Sequence, residues 1–90
     1  MPVIQCTQID ETRDGINTFF KVGAYYQAHF NVTGLLFQLF DEHGNNKFIG
    51  VDDLRYPLGE TNKYAHFKLV NPQKELQRTG KWPMGRQTGR

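Results

Sequence analysis

Ninety residues make one domain at most, with room for a modest core. A net charge of +2 and a single cysteine, Cys6, exclude an extreme polyelectrolyte and any internal disulfide. The apolar runs are only a few residues long, far short of a membrane-spanning helix.

Val3–Ile9 reads as a first strand, with Ile4 and Cys6 on one face. Asp10 to Gly15 is a polar turn, and Ile16–Val22 is a short extended stretch ending at Gly23. Tyr25–Val32 is a clearer strand: Tyr26, Ala28 and Phe30 share one face, and Tyr25, Gln27 and His29 the other. Thr33-Gly34 breaks it. Leu35–Asp41 has the strongest alternation, with Leu35, Phe37 and Leu39 opposed to Leu36, Gln38 and Phe40. Glu42 to Asn46 has the length and composition of a hairpin connection, and Lys47–Val51 is its return strand. Asp52–Gly59 reads as a loop with room for a short helical turn. Tyr64–Val70 closes the pattern, with Ala65, Phe67 and Leu69 inward and Tyr64, His66 and Lys68 outward.

No segment sustains a helical period, and seven Phe and four Tyr suit pleated, half-buried surfaces. Five or six short strands at this spacing predict an all-β domain over 1–70, a small barrel. Asn71-Pro72 ends the strands, and Gln73–Arg78 can form one or two helical turns. The segment 71–90 is a basic tail, predicted to be flexible unless Trp82 docks on the barrel. Charge divides the same way. Through Val70 there are six Lys/Arg against eight Asp/Glu, and from Asn71 onward five against one. A basic tail on a faintly acidic body suggests an acidic partner.

The order of these features resembles a known group. Val3-Ile4-Gln5-Cys6 is followed by Phe20-x-Val22-Gly23-x-x-Tyr26, then by an apolar strand into Asp41-x-x-Gly44, and then by Ala65 to Val70. Over Val3–Val70 this resembles the small SH3-like β-barrel proteins common in bacteriophage genomes. The resemblance implies a phage or prophage origin and a binding role, with no catalytic residues. It implies Tyr26 and Phe67 in the core, Gly23 at the turn into the Tyr26 strand and Gly44 in the hairpin. The chain departs from that pattern in a longer Val51–Tyr64 segment and in the tail, where functions of its own would lie.

Little in the sequence suggests chemistry. Cys6 sits among apolar neighbours, as a buried and inert thiol does. Cys6, His29, His43 and His66 lack the short ligand spacings of zinc sites, so no metal or other cofactor is expected. Asp41-Glu42 and Asp52-Asp53 read as solvated loop acids, and Asp52-Asp53 can cap a helical turn. The expectation is a protein without enzymatic activity.

Tyr25, Phe40, Phe48, Tyr56 and Tyr64 cannot all be core by strand parity. They are either covered by loops or form a recognition surface, where Tyr and Trp are favoured anchors. Candidate partner-binding residues are Tyr25, Phe40, Tyr56, Tyr64, Trp82, Lys81 and Arg86. The expected partner is a host protein, a nucleic-acid enzyme or a defence component, bound in the bacterial cytoplasm. The alternative is nucleic acid, with phosphates drawn to the tail and a base stacked on Trp82. Pairing of exposed strand edges between copies is a third option. No signal peptide is visible and no membrane partner is expected.

Overall fold

The computed structural model describes residues 2–10, 19–59 and 63–83. The polar turn expected after Asp10, much of the Ile16–Val22 stretch and the end of the tail, Arg86 included, lie outside them. Seven strands and one helix follow in order: β1 (Val3–Ile9), β2 (Tyr25–Gln27), β3 (His29–Asn31), β4 (Leu36–Phe40), β5 (Asn46–Gly50), β6 (Arg55–Tyr56), β7 (Ala65–Val70) and α1 (Pro72–Thr79).

The strands form two antiparallel sheets, one ordered β2-β1-β7-β6 and the other β3-β4-β5. The domain is all-β apart from one short helix. The ladders of the described residues do not join into one closed ring. β2 and β3 are a single path bent at Ala28, whose N–H donates to Pro2 O at 2.9 Å. This path pairs with β1 before the bend and with β4 after it, so the two sheets share a corner. At the opposite side β5 abuts β6, where Leu54 N–H donates to Gly50 O at 3.0 Å.

The core lies between the sheets. Ile4 and Cys6 of β1, Tyr26 and Ala28 at the bend, Phe37 and Leu39 of β4, Ile49 of β5, and Ala65 and Phe67 of β7 are buried there, as alternation requires. Phe20 is buried with them, although Phe19–Val22 forms no strand. Instead, this segment is tied alongside β1. Gly23 N–H donates to Cys6 O at 2.7 Å and Cys6 N–H to Ala24 O at 3.1 Å. Gly23 has φ +91°, a left-handed conformation that only glycine adopts without strain. It turns the chain into β2.

Several strand readings need correction at their ends. Tyr25–Val32 is two short strands, because the chain changes sheets at Ala28. Leu35 lies outside β4 in a left-handed conformation, φ +53°, and is exposed. Phe30 and Leu69 have core parity but reach past the core's edge and are exposed. Tyr64 is buried, not outward, because it precedes β7 and escapes its alternation: its N–H bonds Tyr56 O and its C=O takes Asp10 N–H. Asp52–Gly59 holds β6, which returns the chain beside β7, and the Tyr56–Pro57 peptide is cis. A bulge at Thr7 shifts the β1–β7 register between Cys6 and Gln8.

The helix suspected at Gln73–Arg78 is α1, and its ends explain its length. Asn71 is the N-cap, accepting from Gln73 N–H at 3.0 Å and Lys74 N–H at 3.2 Å, with Pro72 following. Gly80, at φ +79°, ends it, its N–H donating to Leu76 O at 2.8 Å. α1 packs on the outer face of the first sheet. There Tyr25 Oη donates to Glu75 Oε2 at 2.5 Å, and Arg78 grips the same carboxylate with bonds of 3.0 and 2.9 Å. Residues 71–83 are therefore not a free tail.

Arg78 and the Tyr25 hydroxyl both bond the ionised form of Glu75, holding its carboxyl down at about 2 from an ordinary 4.5. A depressed carboxyl stabilises the fold above its unfolded value. That contribution fades as pH falls below about 4.5 and is gone below about 2. Acidification across this window should release α1, read as a change in the fluorescence of Trp82, the sole tryptophan. Glu75→Gln should lack that acid step, and an unchanged step in the variant would refute the linkage.

Candidate partner-binding surface

Trp82 stands three residues past the end of α1, half-exposed, beside a groove of about 640 Å³. Pro2, Val3, Leu69, Val70, Pro72 and Trp82 supply its apolar walls, and Asn71 and Gln73 its polar ones. The start of β1, the end of β7 and the first turn of α1 thus meet here. Val3 faces away from the core, but its partners Gln27 and Val70 and the neighbouring α1 leave it buried. Leu69 is 57% exposed and Trp82 49%, so the groove presents apolar surface to solvent.

The other candidate residues are scattered. Tyr25 is half-buried beneath α1, with its hydroxyl committed to Glu75. This hydrogen bond raises the phenol pKa. Lys81 is exposed beside Trp82, its N–H on Thr79 Oγ1 at 3.2 Å. Phe40 is half-buried at the far end of β4, opposite Asn46. Tyr56 packs edge-on against Phe19 and Phe20, with centroids 6.2 and 5.5 Å away. Tyr64 is buried. Among the described candidates only Trp82 and Lys81 lie together, adjacent in the chain, while Tyr25 holds the Glu75 carboxylate of α1.

A second apolar surface escaped the sequence reading. Phe30, Val32 and Leu35 are 52, 69 and 63% exposed around the β3–β4 turn. One signal was available: no charged residue occurs between Lys21 and Asp41. Parity concealed it by grouping Phe30 with Tyr26 and Ala28, and Leu35 with Phe37 and Leu39. The Phe30 ring leans on Phe37 at 5.8 Å, and Gly34 N–H donates to Asn31 Oδ1 at 3.0 Å.

The acids serve the fold. Asp41, read as solvated, is buried. Its Oδ1 accepts from His43 N–H at 2.8 Å and Asn45 N–H at 2.9 Å, which shapes the Asp41–Gly44 turn. Its Oδ2 lies 3.7 Å from Lys47 Nζ, which sits 4.3 Å from the Phe19 ring centroid. Glu42 Oε2 accepts from the Tyr26 hydroxyl at 2.6 Å, and burial raises that phenol's pKa. Asp53 Oδ1 accepts from Arg55 N–H at 3.3 Å, bracing the entry to β6 and not a helix. Among the described residues, no three His, Cys, Asp or Glu side chains gather as a metal ion requires. No helix among them is long and apolar enough to cross a membrane.

Comparison with protein-family models, curated proteins and solved structures finds no match to this chain. The case for function therefore rests on the surfaces described above.

Two outcomes test this geometry. Leu35→Gly should raise stability by about 1 kcal/mol in urea unfolding, because a left-handed backbone strains a leucine by roughly that amount; a loss of stability would contradict the strain. Burial pushes the Cys6 thiol up to about 11. At pH 8 roughly one molecule in a thousand would carry the thiolate. Cys6 in the native protein should react with a disulfide reagent far more slowly than in denaturant, and equal rates would show it accessible.

Proposed function

We propose that this chain is a non-catalytic interaction module of bacteriophage or prophage origin, built as an SH3-like barrel. It binds a host protein in the bacterial cytoplasm, a nucleic-acid enzyme or a defence component, and inhibits or redirects it by occlusion. The observation that carries this reading is the half-exposed Trp82 beside an apolar groove whose walls are strands and a capped helix. Such a surface is preorganised, so little ordering cost opposes binding. A large aromatic anchor in a groove is the kind of residue that dominates binding energy.

The SH3-like assignment draws support from the strand path. A strand bent at Ala28 serves both sheets, and the first and last strands pair side by side. The Asp41–Gly44 turn and the buried Tyr26 and Phe67 also support the reading.

Lys81 beside Trp82 also favours a second reading, a nucleic-acid accessory protein with a base stacked on the indole. One experiment separates the two. The full chain and its Trp82→Ala variant are used as bait in bacterial lysate, with and without nuclease. The interaction module requires one host protein that survives nuclease and binds the variant more weakly by over about 1 kcal/mol. Capture that vanishes with nuclease and falls steeply with salt would favour nucleic acid. Capture indifferent to Trp82 would refute the proposed anchor.

A further inference from the structure

The groove beside Trp82 has a charge as well as a shape. From Lys63 to Pro83 the sole acid is Glu75, and Arg78 and Tyr25 already hold its carboxylate. Three exposed lysines each adjoin a wall residue in the chain: Lys68 next to Leu69, Lys74 next to Gln73, and Lys81 next to Trp82. Among the described residues, none of the three has a carboxylate at ion-pair distance. The groove thus has three lysines close to it in the chain, one of which, Lys68, also acts on the Glu75 carboxylate.

One edge of the groove is also an open strand edge. Phe67 N–H donates to Leu54 O at 2.9 Å, so its backbone turns toward β6. Directions alternate along an antiparallel strand, and Leu69 therefore turns the same way. β6 pairs only with Ala65 and His66 and stops short of Leu69. The Leu69 N–H and C=O on that side lie outside the strand ladders of the described residues. They are placed to take the backbone of an added extended segment.

We infer that this groove receives an extended acidic peptide segment of a partner protein, with one bulky apolar side chain set among carboxylates. The apolar side chain lies against Val3, Leu69 and Trp82, the carboxylates face the three lysines, and the peptide backbone meets Leu69. A nucleic-acid strand would satisfy the lysines but has no backbone amides for the Leu69 edge. It would also set polar base edges against Val3, Val70 and Pro72. The inference rests on the interaction-module reading and adds the chemistry of the partner.

The test titrates the full chain with three synthetic peptides and a single-stranded oligonucleotide, following Trp82 fluorescence. The first peptide has a Leu-Phe pair flanked by Asp and Glu. The second replaces its acids with Lys, and the third replaces the Leu-Phe pair with Ala. The first should shift the fluorescence and bind at least about tenfold more tightly than either of the others. Its affinity should fall several-fold between about 50 and about 300 mM salt, as screened pairs do. Lys74→Glu, an exposed change on α1, should weaken it about fivefold without altering the circular dichroism. Lys68→Gln with Lys81→Gln should act in the same direction.

Equal binding of the acidic and basic peptides would overturn the inference, as would a response to the oligonucleotide alone. If no peptide binds but Trp82→Ala still abolishes capture of a host protein, the acidic chemistry falls and the module stands. If neither the peptides nor Trp82→Ala has any effect, both fall.

Discussion

Phe20 joins three elements of this fold through one ring. Its ring is fully buried and meets Tyr26, Tyr56 and Phe67 edge-on, with centroids 5.4, 5.5 and 5.0 Å away. Those three rings come from β2, β6 and β7, of which β2 is far in sequence from the other two. Edge-to-face pairs contribute about 0.5–1.5 kcal/mol each beyond the area they bury, so a single ring here links three elements. In a chain this short, few other side chains are large enough to fill the space between two sheets. The segment carrying Phe20 lacks strand pairing of its own, and its position is set by backbone bonds to β1 and by Glu42 N–H on Phe19 O at 2.8 Å.

Most of the polar groups around this cluster have partners. Tyr26 keeps its hydroxyl within reach of both Glu42 and Lys21 N–H, at 2.6 and 2.9 Å. Asp41 is occupied by two turn amides and by Lys47. The buried Asp41 commits Oδ1 to the turn backbone, while its Oδ2 has no hydrogen-bond partner among the described residues and relies on the charge of Lys47 3.7 Å away to offset its burial. The same logic holds for α1. Its carboxylate has a hydroxyl below and a guanidinium beside it, which joins the helix to the sheet. Trp82 owes its place to that joint, because the segment after Gly80 follows wherever α1 leads. The proposed partner surface is thus built on the structural pairing of Tyr25, Glu75 and Arg78.

The alternation of apolar residues was sufficient to read β1, β4, β5 and β7, to put Ile4 with Cys6 and Phe37 with Leu39 on shared faces, and to turn Ala65 and Phe67 inward. It misjudged positions where the chain leaves the regular pleat. Tyr64 lies before its strand, Leu35 lies in a turn, and Phe30 and Leu69 keep the right parity beyond the end of the core. Parity reports which face a side chain takes, not whether another layer covers that face. The Asn71-Pro72 stop was legible, but it was also the beginning of a helix, since the residues that terminate strands also cap helices.

The sequence alone determined the all-β class and the uneven charge, because these depend on composition and local period. Tertiary structure decided the rest. It split the strands into two sheets at Ala28, buried Tyr64, packed the half-buried Tyr56 against Phe19 and Phe20, and gathered Pro2, Val3, Leu69, Pro72 and Trp82 around one groove. Those five lie near opposite ends of the chain, and only the antiparallel pairing of β1 with β7 brings them together. Local propensity contains no information about which distant strands will pair, so the groove could not be seen before the fold.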